Sequence, residues 1–389
     1  MLWGMVVVIT AAGVTAQPVA QVRGGGQASV LDDPRVQTLG EEGLDLLYDM
    51  QLAEAEARFD EIDRLYPAYP IGPFLKGLIT WWQILPDLND ESHDDRFIEQ
   101  MEEVIKRSDR LLKKNEDDFD AQFFKGAALG FRGRLRSDRG QWLRAARDGK
   151  QAMDYVLRVA KQDTTNADYM FGKGVYDYFA AMVPKKYPVV KPLMVFFPKG
   201  NRDRGLRELQ FTAESGRFIR TEAVYFLLQI YYLYEPNYQK SLDYITWLRT
   251  EHPRNGFFHL IEGRVYVRWG RRRESMVVFE DILARYQAGQ AGYTATLAEQ
   301  ALYYLAQHQM AFRRYDDALA HLLQLEALAG RHKEDTYFKV MGRLRQGMIY
   351  DLQNRRAWAL QRYQEVLKMK DWSDAHERAK RYIDTPYER

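Results

Sequence analysis

The feature that most constrains this chain of 389 residues is a set of small residues that recur about 34 positions apart. Ser241 and Ser275 are 34 residues apart, and a large apolar residue follows each of them after four positions, Ile245 and Phe279 respectively. A small side chain lets two helices approach closely, while the larger residues fill the space around that contact. Because apolar residues also recur every three or four positions, this spacing predicts stacked pairs of α-helices.

Five stretches of the chain share this order of small and large residues. Their members are Gly43, Ala55, Phe59, Ile62 and Pro67; Tyr238, Ser241, Ile245, Leu248 and Pro253; Gly263, Tyr266, Gly270, Ser275, Phe279 and Ile282; Ala306, Tyr315, Ala318, Leu322 and Leu325; and Gly347, Tyr350, Ala359, Tyr363 and Val366. This pattern resembles the tetratricopeptide (TPR) superfamily of helical repeats. The resemblance implies an all-α protein, a right-handed α-solenoid of about eight helix hairpins. We interpret the repeat residues themselves as core packing.

The solenoid is predicted to cover residues 37–389, with its clearest repeats at 219–371. The region 68–216 is less regular, and its glycines mark the first helices of three further pairs: Gly72, Gly77, Gly126 and Gly174. The matching second helices are predicted at 95–114, 138–161 and 202–215. Several prolines at 183–200 predict a central insertion without a long helix. Residues 373–382 are predicted to form a C-terminal capping helix with a polar outer face.

A second, local resemblance covers residues 166–210. It rests on glycines, aromatic residues and a proline break, namely Gly172, Gly174, Val175, Tyr176, Pro184, Gly200, Arg202, Asp203, Gly205 and Leu206. This stretch resembles the middle of the Iml2/TTC39 family of helical-repeat proteins, although Gly-Asn-Arg-Asp-Arg-Gly-Leu departs from that family's order. The resemblance implies helix-pair repeats with a central insertion, and it implies no enzymatic activity.

The first 16 residues have the pattern of a secretory signal peptide. A short apolar run ends in small residues, with Val14 and Ala16 at the positions that a signal peptidase reads. We therefore expect cleavage after Ala16 and export to the periplasm or cell envelope, followed by a flexible leader at 17–36. An uncleaved membrane anchor is the alternative, since no Lys or Arg precedes Arg23. The absence of Cys suits an oxidising compartment.

The sequence carries no recognisable catalytic or cofactor motif. Without Cys, thiol nucleophiles, iron–sulfur clusters and Cys-type zinc sites are excluded. The seven His residues include no pair with metal-ligand spacing, and no phosphate-binding glycine loop or serine-nucleophile elbow occurs. We therefore predict a non-catalytic protein with no cofactor and no metal.

Two groups of basic residues are candidate binding surfaces. The first is an arginine run around Trp142 that could clamp carboxylates or phosphates: Arg132, Arg134, Arg136, Arg139, Arg144 and Arg147. The alternative is a solvated helix pair whose charge is offset by the acidic stretch 116–120. The second group lies beside aromatic residues in 183–207 and could touch an anionic membrane surface. A formal net charge of +2 and the predicted export argue against nucleic acid as a partner.

These observations favour a protein-binding scaffold of the periplasm or cell envelope. The first helices of a solenoid line its concave face, where Tyr and Arg are typical binding residues. The predicted face, which would contact a peptide or a partner protein, consists of Tyr225, Gln229, Tyr232, Arg264, Arg268, Gln309 and Arg343. The alternatives are a peripheral membrane protein that uses 183–207 and a helical-toroid enzyme acting on a polysaccharide.

Overall fold

The computed structural model describes residues 29–188, 191 and 198–388, and these residues form 17 α-helices and no strand. Consecutive helices pack against each other as hairpins. The chain divides into two compact units, of which one ends at His252 and the other comprises Pro253–Arg389. The predicted signal peptide and most of the predicted leader lie outside the described residues.

The first unit contains five helix hairpins. Its helices are α1 (Pro34–Tyr48), α2 (Leu52–Leu65), α3 (Ile71–Ile84), α4 (Asp94–Leu112), α5 (Phe119–Asp138), α6 (Trp142–Gln162), α7 (Ala167–Lys186), α8 (Arg202–Ser215), α9 (Arg220–Gln229) and α10 (Tyr238–Glu251). A π-helical turn, Ile230–Tyr234, extends α9. A short 3-10 helix, Val30–Asp32, precedes α1.

The second unit contains three hairpins and a final helix. Its helices are α11 (Gly256–Trp269), α12 (Arg272–Gln287), α13 (Ala295–Ala311), α14 (Tyr315–Ala329), α15 (Tyr337–Leu352), α16 (Arg356–Val366) and α17 (Ala375–Asp384). Helix α17 packs on α15 and α16. The predictions of an all-α solenoid, of about eight hairpins and of a C-terminal capping helix are confirmed.

Close contacts between small and large residues hold each hairpin together. A Cβ atom on Gly263 of α11 would lie 2.6 Å from the ring of Phe279 on α12. In the same hairpin the Ser275 hydroxyl donates to the Gly263 carbonyl at 3.1 Å. Ser275 and Phe279 are both fully buried. The repeat residues therefore form the core, as the spacing predicts.

The irregular region also consists of hairpins, with some shifted boundaries. Helices α4 and α8 coincide closely with the predicted second helices at 95–114 and 202–215. The second helix predicted at 138–161 begins later, at Trp142, because α5 continues to Asp138. Gly140 then makes the turn with a φ of +70°, a conformation that favours glycine.

The described residues begin within the predicted leader 17–36. The hydroxyl of Ser29 donates to Asp120 of α5 at 2.5 Å, and the backbone N–H of Val30 donates to the same carboxylate at 2.8 Å. Val30 and Leu31 are buried. The prediction of a flexible leader is therefore wrong for residues 29–36, because apolar burial and hydrogen bonds to one buried carboxylate fix this stretch.

The predicted insertion at 183–200 starts later than expected. Helix α7 continues to Lys186 and carries Pro184 in its last turn. A proline near the end of a helix removes only one backbone hydrogen bond, so the last turn is retained. Residues 189–190 and 192–197 of the predicted insertion lie outside the described residues.

The close packing of α8 on α7 and the open space beside α5 predict opposite effects for two glycine substitutions in the first unit. A Cβ on Gly205 would lie 2.7 Å from the Gly174 carbonyl oxygen and 2.9 Å from the Tyr178 Cα. Because these are backbone atoms that cannot rotate away, Gly205→Ala is expected to lower the free energy of unfolding by about 2 kcal/mol. Chemical denaturation measures this change.

Gly130 on α5 provides the matched control. A Cβ at this position meets nothing within 4 Å, so Gly130→Ala is expected to raise the free energy of unfolding by up to about 1 kcal/mol, through helix propensity alone. Equal effects of the two substitutions would contradict the proposed close contact between α7 and α8.

Candidate functional site

The first hairpin of the first unit contacts the fifth. The hydroxyl of Tyr48 on α1 donates to Glu222 Oε1 on α9 at 3.4 Å. The ring of Tyr48 also lies 5.3 Å from that of His252. A Cβ on Gly40 would lie 3.0 Å from the ring of Phe218, just before α9. Because the two ends of the unit meet, the inner faces of its hairpins surround a common space.

This space is an apolar cavity of about 560 Å³. The first helix of every hairpin in the unit contributes to its wall, namely α1, α3, α5, α7 and α9. Eight of the 19 phenylalanines of the chain line it: Phe74, Phe123, Phe124, Phe131, Phe171, Phe211, Phe218 and Phe226. Its volume lies in the range of small-molecule binding sites, roughly 300–1,000 Å³.

The sequences of the first helices explain why the wall is apolar. Helix α3 reads Ile-Gly-Pro-Phe-Leu-Lys-Gly-Leu-Ile-Thr-Trp-Trp-Gln-Ile and is almost apolar all round. One side of such a helix packs on its neighbouring helices, and the other side must then face a second apolar environment. Phe74, Leu75 and Leu78 of α3 line the cavity. The exposed members of the lining are all polar, namely Asp32, Thr165, Ser215 and Arg217.

Glu222 is one of two buried carboxylates of the cavity wall and is only 7% exposed. Its Oε1 accepts hydrogen bonds from Tyr48 and from the indole N–H of Trp82, the latter at 3.3 Å. Burial raises the pKa of Glu222, and the positive charge of Arg134 partly offsets this effect. No ion pair within 4.0 Å joins Glu222 to Arg134 in the described part of the chain.

Arg134 of α5 is the second charged group of the wall. Its guanidinium lies 4.7 Å from the ring centre of Trp81 and 5.9 Å from that of Phe226, at cation–π distances. The Nε atom is buried and has no hydrogen-bond partner among the described residues. The aromatic rings therefore hold this guanidinium in place while its N–H donors remain available.

Asp168, a third charged residue of the wall, is used by the fold itself. Its Oδ1 accepts backbone N–H bonds from Arg217 and Ile219, both at 3.0 Å. Phe218 donates to the same carboxylate from between them. These bonds offset the effect of burial, which raises the pKa of Asp168. The carboxylate fixes the turn that leads into α9.

Three residues of the predicted concave face lie in the interior. Tyr225, Arg264 and Gln309 are 4%, 5% and 7% exposed. Arg264 donates to Gln300 on the neighbouring first helix, and Gln309 hydrogen-bonds to His321 at 2.7 Å. Because these three side chains are buried, they do not form part of an open face.

The other four members of the predicted face differ in their surroundings. Arg343 makes ion pairs with Glu326 at 2.6 Å and with Glu365. Gln229 and Tyr232 are partly buried, whereas Arg268 is exposed. Tyr225, Gln229 and Tyr232 belong to the first unit, and the other four residues belong to the second. A shared binding role for the seven residues stays a prediction.

The arginine run does not form one surface patch. Arg132 and Arg136 both bind the buried carboxylate of Asp148, at 2.7 Å and 2.6 Å. Arg139 pairs with Asp94 at 2.5 Å. Residues four positions apart lie on one side of a helix, so one carboxylate on α6 takes two of these charges. The prediction of a six-residue basic patch is therefore wrong, and only Arg144 and Arg147 are exposed.

The role of Glu222 is not predicted by the sequence pattern, and Arg134 is predicted only as a member of the arginine run. The available signal was the position of Glu222, a single acidic residue directly before the apolar stretch Ala-Val-Tyr-Phe-Leu-Leu of α9. Within the described ranges, no group of three or more His, Asp or Glu side chains is placed to hold a metal ion. No helix formed by these residues is both long and apolar enough to cross a membrane.

His252 predicts a pH dependence for the closure of the first unit. It is 3% exposed, its Nε2 lies 3.0 Å from the Thr221 hydroxyl, and burial lowers its pKa from 6.5 to about 4. The unfolded chain therefore binds a proton at this residue over a pH range in which the folded chain does not. The contribution of His252 to stability is complete above about pH 6.5 and is lost as the pH falls towards 4.

The measurement is the free energy of unfolding of the wild type and of His252→Gln at pH 7 and pH 5. Between these pH values the wild type is expected to lose about 2 kcal/mol more than the variant. The difference cancels the contributions of other titrating groups. Parallel pH profiles of the two proteins would contradict the neutral, buried state of this imidazole.

Similarity to known proteins is confined to the fold. No protein-family model and no curated protein sequence matches the chain. The chain resembles a chain of the APC/C hetero-tetramer Cut9–Hcn1 with a TM-score of 0.52 and 12% identity, covering 87% of this chain and 54% of that one. It therefore spans about half the length of that protein.

Two further structures are weakly similar. Yeast Tom70 gives a TM-score of 0.43 and 10% identity, with 91% of this chain and 89% of that chain covered. A tetratricopeptide repeat protein from Parabacteroides merdae gives a TM-score of 0.34 and 15% identity, with 77% of this chain and 94% of that chain covered. The local resemblance of 166–210 to the Iml2/TTC39 family stays a prediction. The helix hairpins and the similarity to the Cut9–Hcn1 chain show a TPR-like helical-repeat fold.

Proposed function

We propose that this chain is a non-catalytic scaffold of the periplasm or cell envelope, which carries a largely apolar ligand inside its first unit and binds a protein or peptide partner. The observation that carries the proposal is the cavity, on which the inner faces of all five hairpins converge. Stacked helix hairpins are a common framework for binding surfaces. A cavity of this size with a few fixed polar groups is the usual form of a ligand site.

The surface beside the α5–α6 turn supports binding of a protein partner. Leu143 is 84% exposed and Trp142 is 54% exposed, at the start of α6. Arg144 and Arg147, the two exposed members of the predicted arginine run, lie in the same helix. Trp and Arg are the residue types that contribute most to protein–protein binding.

A membrane-associated role for residues 183–207 remains an alternative, supported by fewer observations. Arg202 pairs with Glu235, and Arg204 pairs with Asp177 at 2.5 Å. These two positive charges are therefore partly neutralised within the fold. Lys185, Lys191, Lys199 and Arg207 are exposed, while the aromatic pair at 196–197 lies outside the described residues.

The cavity predicts saturable binding of a neutral apolar molecule. We expect N-phenyl-1-naphthylamine to bind the purified chain with increased fluorescence, because transfer into an apolar space removes its rings from water. Gly130 lines the cavity and has open space at its Cβ position. A phenylalanine there fills part of the cavity, so Gly130→Phe is expected to weaken probe binding about tenfold or more, a loss of about 1.4 kcal/mol.

Gly130→Ala is the matched control for the probe experiment, because it changes the same position without filling the cavity. It is expected to bind the probe as the wild type does. Circular dichroism and thermal melting establish that both variants are folded. If the wild type shows no saturable binding, the cavity is not a ligand site and the proposed function fails.

The proposed location predicts a specific mature N-terminus. Expression in a Gram-negative host, followed by fractionation, is expected to place the chain in the periplasm with Gln17 as its first residue. Mass spectrometry of the N-terminal peptide measures the cleavage site. A chain that retains Met1 to Ala16 in the membrane fraction would instead support the uncleaved anchor.

A further inference from the structure

We propose that the ligand of the cavity is an amphipathic monocarboxylate with a long apolar chain, and that its carboxylate binds Arg134. This inference rests on the proposed function, because it names the ligand class of the same cavity. A free fatty acid has this chemistry. Four observations support the inference. They are the guanidinium of Arg134 without an ion pair, the row of cavity-lining residues along α5, the small number of polar groups in the wall, and the hydrogen bonds and raised pKa of Glu222.

Arg134 is the cationic group of the wall that has no ion pair among the described residues, since Arg217, the other cation of the lining, pairs with Glu41. The guanidinium of Arg134 has no ion pair within 4.0 Å and no hydrogen bond in the part of the chain that the structure describes, and the buried Nε is unpaired. The two other arginines of α5 are both paired, since Arg132 and Arg136 share Asp148. A carboxylate can accept two parallel N–H bonds from one guanidinium, which makes Arg a typical partner for this group.

The inner side of α5 offers a path for an apolar chain. Phe123, Ala127, Gly130 and Arg134 recur every three or four positions, and all of them line the cavity. Eleven residues of helix correspond to a length of roughly 16 Å. Ala127 and Gly130 leave room between the two large side chains at the ends of this stripe. An extended acyl chain can lie there, with its carboxylate against Arg134 and its tail towards Phe123.

The scarcity of polar groups in the wall favours an acyl chain over a peptide. Each peptide residue brings a backbone N–H and a C=O that need partners when they are buried. The charged lining residues that are not exposed are Arg134, Asp168 and Glu222. Asp168 already accepts backbone N–H bonds, and Tyr48 already donates to Glu222. An acyl chain needs no hydrogen bonds along its length.

Arg134 and Glu222, two of the three charged lining residues that are not exposed, favour different head groups, and their hydrogen bonds distinguish between these head groups. Glu222 accepts two hydrogen bonds, whereas Arg134 makes none with the described residues. Burial raises the pKa of Glu222 and of Asp138, one turn beyond Arg134, which favours their neutral forms. Asp138 does not line the cavity. The positive guanidinium is therefore the charge that a ligand meets.

The test compares three molecules with the same ten-carbon chain and different head groups: decanoate, decan-1-ol and decyltrimethylammonium. Each competes with N-phenyl-1-naphthylamine on the full mature chain, below its micelle concentration. Decanoate is expected to displace the probe at a concentration at least about tenfold lower than the other two, because charge-assisted hydrogen bonds form only with the carboxylate.

The variant Arg134→Met keeps most of the apolar stem of the side chain and removes its charge and its donors. It is expected to lose the preference for decanoate, with less than about a twofold change for decan-1-ol. Arg144→Met, on an exposed arginine outside the cavity, is the matched control and is expected to retain the wild-type preference. If Arg134→Met does not fold, the head-group series on the unchanged protein decides.

Three results would overturn the inference while the cavity remains a ligand site. These are equal displacement by all three head groups, tighter binding of the cation, and an unchanged preference in Arg134→Met. An apolar decapeptide with an amidated C-terminus that displaces the probe better than decanoate would assign the cavity to a peptide instead. Failure of the proposed function is distinct, because the neutral probe then does not bind at all.

Discussion

The structure depends on the close approach of paired helices at positions where one partner has almost no side chain. Gly263 lies against Phe279, and Gly347 lies against Tyr363, in hairpins of the same type. Such a contact is local in sequence, so each hairpin specifies its own packing. The large residue of each pair is completely buried. Each of these hairpins therefore contributes buried apolar surface to the hydrophobic core.

In the first unit, this packing leaves the first helices with a second apolar side. The contact between the first and fifth hairpins turns that side towards the interior, and an apolar cavity results. Glu222 joins α1 and α3 to α9 through Tyr48 and Trp82. The same carboxylate therefore links the closure of the unit to the wall of its cavity.

Several buried carboxylates stabilise the fold by binding groups of a neighbouring helix or turn. Asp148 binds two arginines of the neighbouring helix, and Asp168 holds three backbone N–H groups. Removing one partner of such a buried group is costly because the other charge stays desolvated. A run of arginines in the sequence is consequently a poor guide to a binding surface when carboxylates on an adjacent helix lie within reach.

The sequence by itself determined the helix hairpins, their number and the capping helix, because the spacing of small and large residues is a local property of each hairpin. Only the tertiary structure decided that Ser29 and Val30 are fixed by Asp120. It also decided that Arg134, unlike Arg132 and Arg136, faces a cavity. Whether an inner helix face is open or enclosed depends on how far successive hairpins rotate. That rotation is the sum of many small packing differences, so the spacing of residues in the sequence does not predict it.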